Sequence, residues 1–397
     1  MTTIERAIND YYPGQTATYS KGRSQLPYNA PDYAVSGRGA HVEGSDGRTY
    51  TDWTAALGAI LLGYRDPDVD VAVRKQTYRG SLFGLPTSLE HEVAAELLAL
   101  LPWERGALKY GKNGSDATSA AVRAARAITG RDYIISQGYH GFQDWSVPNK
   151  NGVPVGVQRL THEWTPITSL KDWIPTDDFA AVIVEPDAVG KIGLEYLRGW
   201  TSGCGSLLIF DEVLTNFRIP GVFAAKHYGV TPDMICGGKA IANGLPLSFV
   251  AGREDLMRVF AGGIGYSFTF GGETLALAAA QAVIRKVTTE PVIDKLWTVG
   301  TLLQDHWNSE ATRLNLDIPC VGIPSRSLIR YPSMEAKTVV LESMWAQGEM
   351  FTVGFTPNFS HSAADVHAAR LAVTVALENL ANGTAPHGPV VGEVYRR

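Results

Sequence analysis

Two carboxylates follow a short apolar run in the segment LLIFDEV, residues 207–213. Such a run is typical of a strand that is buried on both faces. Ligands of open α/β sheets bind at the carboxyl ends of the strands, so Asp211 is expected to point into a site. There it could bind a metal, act as a base or hold a protonated ring nitrogen. A helix cap after the strand would account for the same residues equally well.

A lysine preceded by two glycines lies in the segment DMICGGKAIANGLP, where Lys239 follows Asp211 by 239 − 211 = 28 residues. The glycines allow a tight backbone turn that would expose the amine. A nucleotide phosphate loop, GxxxxGK[S/T], does not fit, because Asp233 stands where the first glycine is required and Ala240 replaces the hydroxyl residue. Taken alone, the pattern more often marks a solvated loop lysine.

A phosphate site is predicted in the segment YGKNGSDATSAA, residues 110–121. Gly114 and Ser115 would open a helix whose first N–H groups are unpaired and whose dipole is positive at that end. The Ser115 hydroxyl would add a further donor. The alternative is an ordinary serine at a helix N-terminus.

An aromatic turn is predicted in SQGYHGFQDW, residues 136–145. Tyr139 or His140, flanked by glycines at the end of a strand, could lie flat on a planar ring; a glycine-rich turn around a partly buried tyrosine is the alternative. His140, His162 and His227 do not have metal-binding spacing, so no metal is expected.

The elements that would position these residues alternate along the chain. Helical spacing covers residues 90–101, and a second helix begins near residue 115 and ends at Gly130. Short apolar runs at 133–136, 181–184, 207–210 and 247–250 predict strands of a parallel α/β sheet. Asp46-Gly47 predicts a hairpin, residues 1–40 read as irregular structure, and a final helix begins near Ser362 with Asp365 completing a capping box.

The division predicted from these patterns is an N-terminal arm over 1–45, a large domain over 46–285 and a C-terminal part over 286–397. The arm and the C-terminal part are expected to form one small domain.

A net charge of −5 argues against nucleic-acid binding as the primary role, although a nucleotide substrate remains open. The three cysteines are far apart, which argues against a disulfide framework.

A cytoplasmic location is the default expectation. The first residues, MTTIERAINDYYPG, carry acids and lack the apolar core of a secretory signal. No run in the sequence approaches the roughly 18 to 20 apolar residues of a membrane span.

The order of these features resembles the class III, fold-type I aminotransferases that use pyridoxal 5′-phosphate (PLP), and is most similar to their glutamate-1-semialdehyde aminomutase-like branch. The resemblance rests on six blocks in family order: NGSDATSAAVRAARAITGRD, GYHG, VIVEP, LLIFDEVLTNFR, HYGVTPDMICGGKAIANGLP and SFTFGGETLALAAA. It implies a central, mostly parallel sheet in a large domain and a smaller α+β domain built from both termini.

The resemblance also implies roles for individual residues. Lys239 would form the internal aldimine with PLP, and Asp211 would pair with the protonated pyridine nitrogen. Asn113, Gly114 and Ser115 would hold the phosphate of the cofactor. Tyr139, His140 and Val213 would lie beside its ring. Glu185 would lie near the ring, and Glu212 would be a further acid there. Thr269 would reach the phosphate of the neighbouring subunit, which implies a homodimer with shared active sites.

Departures from the family pattern bear on the reaction. The chain reads NGSDA where many relatives have SGTEA, and TFGGETLA where aminomutases typically have TLSGNPLA. These departures weaken the assignment as an aminomutase. The stretches KNGSDA, GYHGFQDW and SFTFGGETLALAAA are more similar to a subset of the family associated with amino-sugar and surface-polysaccharide pathways. That resemblance implies transfer of an amino group from a small donor to a keto or aldehyde group of a sugar- or nucleotide-like acceptor. The alternative is glutamate-1-semialdehyde 2,1-aminomutase; a decarboxylase, a racemase or a non-catalytic binding protein is less favoured. Candidate substrate contacts, for each of which a surface or packing role is the commoner one, are Ser20, Lys21, Arg23, Trp53 and His140.

Overall fold

The computed structural model describes residues 12, 14, 16–164 and 178–393. The N-terminal residues on which the prediction about a secretory signal rests lie mostly outside this part. Within it, no helix combines the length and apolar character needed to cross a bilayer.

The strands and helices have the following bounds along the chain. The strands are β1 (Ala34–Arg38), β2 (His41–Gly44), β3 (Thr49–Asp52), β4 (Gly106–Gly111), β5 (Tyr133–Gln137), β6 (Thr161–Glu163), β7 (Phe179–Val184), β8 (Leu207–Asp211), β9 (Met234–Gly237), β10 (Ser248–Arg253), β11 (Cys320–Ile323), β12 (Arg326–Ile329) and β13 (Glu349–Met350). The α-helices are α1 (Pro67–Thr77), α2 (Ser88–Leu100), α3 (Gly114–Thr129), α4 (Val155–Gln158), α5 (Pro186–Cys204), α6 (Ala224–Tyr228), α7 (Glu254–Met257), α8 (Thr274–Thr289), α9 (Val292–Arg313), α10 (Met334–Ala346) and α11 (Ala363–Ala381).

A large unit consists of residues 58–62 and 66–294. Its seven strands have the order β4-β10-β9-β8-β7-β5-β6, and the neighbouring pairs from β9 to β6 are parallel. The mostly parallel sheet expected from the sequence is therefore present. Strands β7 and β8 are buried along their whole length, as their continuous apolar runs predict.

The run at 247–250 departs from the parallel prediction. It belongs to β10, which is antiparallel to both β9 and β4. Only residues 238–247 connect β9 with β10, whereas a parallel crossover needs a dozen or more residues, usually including a helix. The short connection therefore makes β10 run back along its neighbour.

The strand directions bring five chain segments to one edge of this sheet. Strands β5, β7, β8 and β9 are parallel, and β4 has the same direction because β10 is antiparallel to both β4 and β9. The residues that follow these five strands, together with those that precede β10, therefore meet at the carboxyl edge.

A smaller unit consists of the described residues of 1–57, 63–65 and 295–395. These boundaries lie at residues 57 and 295, instead of the predicted 45 and 286. Its four-stranded sheet has the order β1-β2-β3-β13. β2 and β3 form the hairpin predicted around Asp46-Gly47. The irregular structure predicted over 1–40 is wrong at residues 34–38, which pair with β2 as strand β1.

The local signals for helix ends are confirmed. Asn113 and Asp116 form a capping box at the start of α3, and Gly130 ends that helix with a left-handed φ of 68°. In the small unit, Ser362 and Asp365 form the capping box of α11. The face of α11 predicted to be apolar is buried at Val366, Ala369, Val373 and Leu377, with Leu380 partly buried.

Candidate active site

A cavity of about 350 Å³ lies at the carboxyl edge of the large sheet. Segments from several strand ends contribute to it: Lys112–Ser115 after β4, Tyr139–Phe142 after β5, Glu185 after β7, Asp211, Val213 and Leu214 at the end of β8, Lys239 after β9, Gly244–Leu247 before β10, and Ala59. Of the cofactor-binding residues predicted from the sequence, all except Thr269 line this cavity. The strand-end rule for α/β sheets thus accounts for the place of the cavity.

Asp211 is held in the cavity wall by two contacts. Its Oδ2 lies 2.8 Å from Nδ1 of His140, and its Oδ1 accepts a hydrogen bond of 3.0 Å from the backbone N–H of Val213. The side chain of His140 is fully buried and that of Asp211 is 5% exposed. With its proton on Nδ1, the imidazole donates to the carboxylate and fixes its orientation. A carboxylate held in this way can face a cationic group in the cavity.

Lys239 begins a 3-10 helix directly after β9, in a left-handed conformation with φ 46°. This conformation is costly for a residue with a side chain and is often found at functional sites. The preceding Gly237 allows a close approach of neighbouring strands, since a Cβ there would come 2.3 Å from the ring of Phe249. The lysine is half-buried and lines the cavity. Gly237 therefore lets β9 pack closely against β10 just before the lysine.

The start of α3 faces the same cavity. The side chain of Asn113 accepts from the N–H of Asp116, whose carboxylate accepts from the N–H groups of Lys112 and Asn113. Ser115 is buried, and its Oγ accepts from the N–H of Phe142 at 3.2 Å. This helix end presents backbone N–H groups and a hydroxyl, which is the donor set that a phosphate group requires.

The turn after β5 depends on two glycines. Gly138 and Gly141 have φ values of 103° and 117°, and a Cβ on Gly141 would come 2.2 Å from Oγ of Ser115. The backbone N–H of Tyr139 donates to Oε1 of Glu185 at 2.8 Å. Tyr139 is 38% exposed and lines the cavity, whereas the ring of His140 is buried and lies nearly parallel to Trp145.

Two expected site residues lie elsewhere. Thr269 is exposed and does not line the cavity of its own chain. Glu212 is fully buried away from the cavity, and its carboxylate accepts from the N–H groups of Ala224 and Ala225 at the start of α6. Burial raises the pKa of Glu212 to about 8. Glu212 therefore caps a helix and does not line the cavity in which the cofactor is expected.

Two of the substrate candidates, Trp53 and Arg23, make their contacts within the small unit. Trp53 is completely buried, and its indole N–H donates to Glu349 at 2.6 Å. The guanidinium of Arg23 donates to the carbonyl oxygens of Tyr28 and Ala30. Packing thus accounts for Trp53, and local hydrogen bonds account for Arg23.

Sequence reasoning missed Lys112 and Phe142 as cavity residues. Lys112 had a recognisable signal, because it directly precedes the predicted phosphate-type helix start. Phe142 had a weaker one, as an aromatic residue beside Gly141 in the same turn.

Comparison with known proteins places these features in a family. The profile of the family Aminotransferase class-III matches residues 26–153 and 158–322. The chain is 33% identical over 329 residues to the glutamate-1-semialdehyde 2,1-aminomutase of Methanothrix thermoacetophila, with 76% of each chain covered. It is 32% identical over 351 residues to the 3-aminobutyryl-CoA aminotransferase of Cloacimonas acidaminovorans, covering 85% of this chain and 84% of that one.

Two solved structures have the same fold. The PLP internal aldimine form of FumI from Sphingopyxis sp. MTA144 matches with a TM-score of 0.88 at 24% identity, covering 96% of this chain and 97% of that one. An omega-transaminase from Sphaerobacter thermophilus matches with a TM-score of 0.86 at 26% identity and the same coverage. The fold expected from the sequence is confirmed by these likenesses.

Proposed function

Because the chain belongs to the class III aminotransferases, which use PLP, we propose that it transfers an amino group from a donor amine to the keto or aldehyde group of a second small molecule. One observation carries the proposal. The amine-bearing Lys239 and the carboxylate of Asp211 line one cavity, at the carboxyl ends of adjacent parallel strands.

The cavity fits the cofactor by the chemistry of its donors. Lys239 supplies an amine for the aldehyde group, Asp211 a carboxylate for the ring nitrogen, and the start of α3 the N–H and hydroxyl donors for the phosphate. Gly114 keeps this space open, since a Cβ there would come 2.9 Å from Cγ1 of Val213. Tyr139 and Val213 are proposed as the neighbours of the two ring faces.

When bound, PLP supplies a protonated ring that accepts electron density from the reacting carbon. Asp211 favours the ring-nitrogen proton, because an opposite charge nearby stabilises the cationic form. His140 keeps the Asp211 carboxylate in place through the 2.8 Å contact. The amine of Lys239 lines the same cavity and would take a proton from the donor's Cα and return it.

The attachment residue can be identified by chemical trapping. Borohydride reduction of the purified protein, followed by peptide mass spectrometry, is expected to place the cofactor on Lys239. Lys112 is the matched control, since it is the other lysine that lines the cavity in the described part of the chain. A label on Lys112 or any other lysine would refute the assignment. Lys239→Ala is expected to abolish turnover, and a near-normal rate would contradict the proposal.

Intramolecular transfer is the second candidate, and it is favoured by relatives that are glutamate-1-semialdehyde 2,1-aminomutases at 32–34% identity. The departures NGSDA and TFGGETLA favour intermolecular transfer instead. A screen of amino donors and carbonyl acceptors, followed by absorbance, distinguishes the two reactions. Intermolecular transfer is supported if a donor alone converts the cofactor to its amine form and turnover requires a separate acceptor. Including sugar- and nucleotide-like compounds among the acceptors tests whether the acceptor belongs to that class.

The chain is also proposed to form a homodimer in which each subunit contributes Thr269 to the active site of its neighbour. The support is the exposed position of Thr269 outside the cavity of its own chain, together with its place in the family block SFTFGGETLALAAA. Thr269→Ala is expected to weaken cofactor retention in a protein that sediments as a dimer. Sedimentation of the wild type as a fully active monomer would contradict the assembly.

A further inference from the structure

An ion pair between two distant segments lies at the cofactor cavity. The ammonium of Lys112 lies 3.1 Å from Oε2 of Glu273, and the two side chains are only 16% and 17% exposed. Lys112 lines the cavity. Burial of this degree separates the pair from the exposed ion pairs of the surface, which contribute little to stability.

Each partner stands beside a segment that departs from the family pattern. Lys112 directly precedes NGSDA, and Glu273 lies within TFGGETLA. The two residues are 161 positions apart. The structure therefore brings a residue that adjoins one departure into contact with a residue of the other, far apart along the chain.

Glu273 is well suited to hold the lysine. It is the N-cap of α8, and its carboxylate accepts from the N–H groups of Leu275 and Ala276 at 2.6 and 3.2 Å. These bonds and the positive end of the helix dipole stabilise the carboxylate in one orientation. Glu273 is the one acceptor within hydrogen-bonding distance of the Lys112 ammonium among the described residues. An ammonium has three donors, so two remain available for an anion.

Given these contacts, and resting on the proposed function above, we propose that Lys112 is an additional phosphate-binding residue that recognises the phosphate group of PLP. Lys112 precedes Asn113-Gly114-Ser115, whose donors are neutral, and brings the positive charge that those donors lack. Glu273 acts as a positioning residue that holds the ammonium and moderates its charge.

The electrostatics give the two partners opposite effects on phosphate affinity. Removing the charge of Lys112 eliminates an attraction and leaves the Glu273 carboxylate unpaired beside the cavity. Removing the charge of Glu273 leaves the Lys112 attraction uncompensated. In Glu273→Gln the amide oxygen still accepts from Lys112, so the lysine keeps a partner.

The test measures ligand affinity in the full-length chain after removal of bound cofactor. Dissociation constants are determined by absorbance or fluorescence titration with PLP and with pyridoxal, which lacks the phosphate. Inorganic phosphate is added as a competitor in a parallel series. Lys112→Gln is expected to weaken PLP binding by about tenfold, as for the loss of a hydrogen bond to a charged group, and to leave pyridoxal binding within about twofold.

Three further variants sharpen the result. Lys112→Arg is expected to retain PLP affinity, and Glu273→Gln to strengthen it by about threefold through the loss of a like charge. Lys191→Gln is the matched control, because Lys191 forms an exposed pair with Glu195 on α5 and its loss changes net charge equally. It is expected to leave both affinities unchanged.

The inference is overturned if Lys112→Gln weakens PLP and pyridoxal equally, if it weakens neither, or if Glu273→Gln weakens PLP binding as Lys112→Gln does. The last result would show that the pair only supports the packing. Failure of the wild-type chain to bind PLP at all would instead contradict the proposed function, so the two failures are distinguishable.

Discussion

Two buried imidazoles, one in each unit, have opposite surroundings. His140 in the large unit lies 2.8 Å from the carboxylate of Asp211. His361 in the small unit stacks on Trp53, with ring centroids 3.9 Å apart at an interplanar angle of 17°. The Nε2 atom of each is buried without a hydrogen-bond partner among the described residues. Burial lowers the pKa of His361 to about 4, which keeps that ring neutral near pH 7.

The contrast extends to the groups around each histidine. In the large unit, the carboxylate that contacts His140 lines an open cavity and can act on a bound molecule. In the small unit, buried polar groups pair with one another, as in Trp53 with Glu349 and Tyr64 with Asp52, both at 2.6 Å. The buried pair of His140 and Asp211 in the large unit therefore serves the site, whereas these polar pairs in the small unit serve the fold. Substitutions should separate these two roles.

Asp211→Asn is expected to have the largest effect, a loss of turnover on the order of a thousandfold or more. The neutral amide no longer favours the ring-nitrogen proton, and each pKa unit corresponds to about 1.4 kcal/mol. Steady-state rates at saturating cofactor measure the loss. A thermal melt should show little change, because the amide preserves the shape of the side chain. A near-normal rate would show that Asp211 has no role in catalysis.

Trp53→Ala should reverse this pattern, with a loss of roughly 3–5 kcal/mol in the free energy of unfolding. The substitution empties a fully buried position and leaves Glu349 without its indole donor. Urea denaturation measures the change, and the cofactor affinity of the folded fraction is the control. An intact stability with altered substrate kinetics would mean that Trp53 serves the substrate after all.

Glu349→Gln should show a pH-dependent gain in stability. Burial raises the pKa of Glu349 from its ordinary 4.5 to about 7, so the folded state holds this proton more tightly than the unfolded state. Wild-type stability should therefore fall as the pH rises from about 4.5 through 7, while the variant escapes this loss. The difference should reach up to roughly 3 kcal/mol above pH 7. Unfolding curves at pH 5 and pH 8 measure it; equal differences at both values would contradict the assignment.

His140→Ala should weaken cofactor binding by about tenfold, because Asp211 loses one donor and its fixed orientation. His140→Asn should restore most of the affinity, since its amide can donate to the same carboxylate. His361→Ala is the matched control in the small unit and should lower stability without changing the affinity of the folded protein. An equal loss of affinity in both alanine variants would erase the contrast between the two histidines.

Much of the fold and part of the site could be predicted from neighbouring residues. The ends of α3 and α11, the hairpin at Asp46-Gly47 and the apolar runs of the sheet depend on interactions within a few positions. The position of Asp211 at the end of its strand also follows from local pattern, since strand ends meet at one edge of an α/β sheet. The strand β9 that precedes Lys239 was not predicted. The antiparallel direction of β10 was missed because the apolar run gives no information about its direction.

Only the tertiary structure decided which side chains meet. The contact of His140 with Asp211 spans 71 positions, and that of Lys112 with Glu273 spans 161. The sequence also left open that Trp53 packs in a core and that Glu212 caps a helix, because a residue type does not reveal which way a side chain points. Local propensity determines structure within one turn or one strand. Which distant charges pair depends on the order of the strands in the sheet and on the packing of the core, which bring their side chains together.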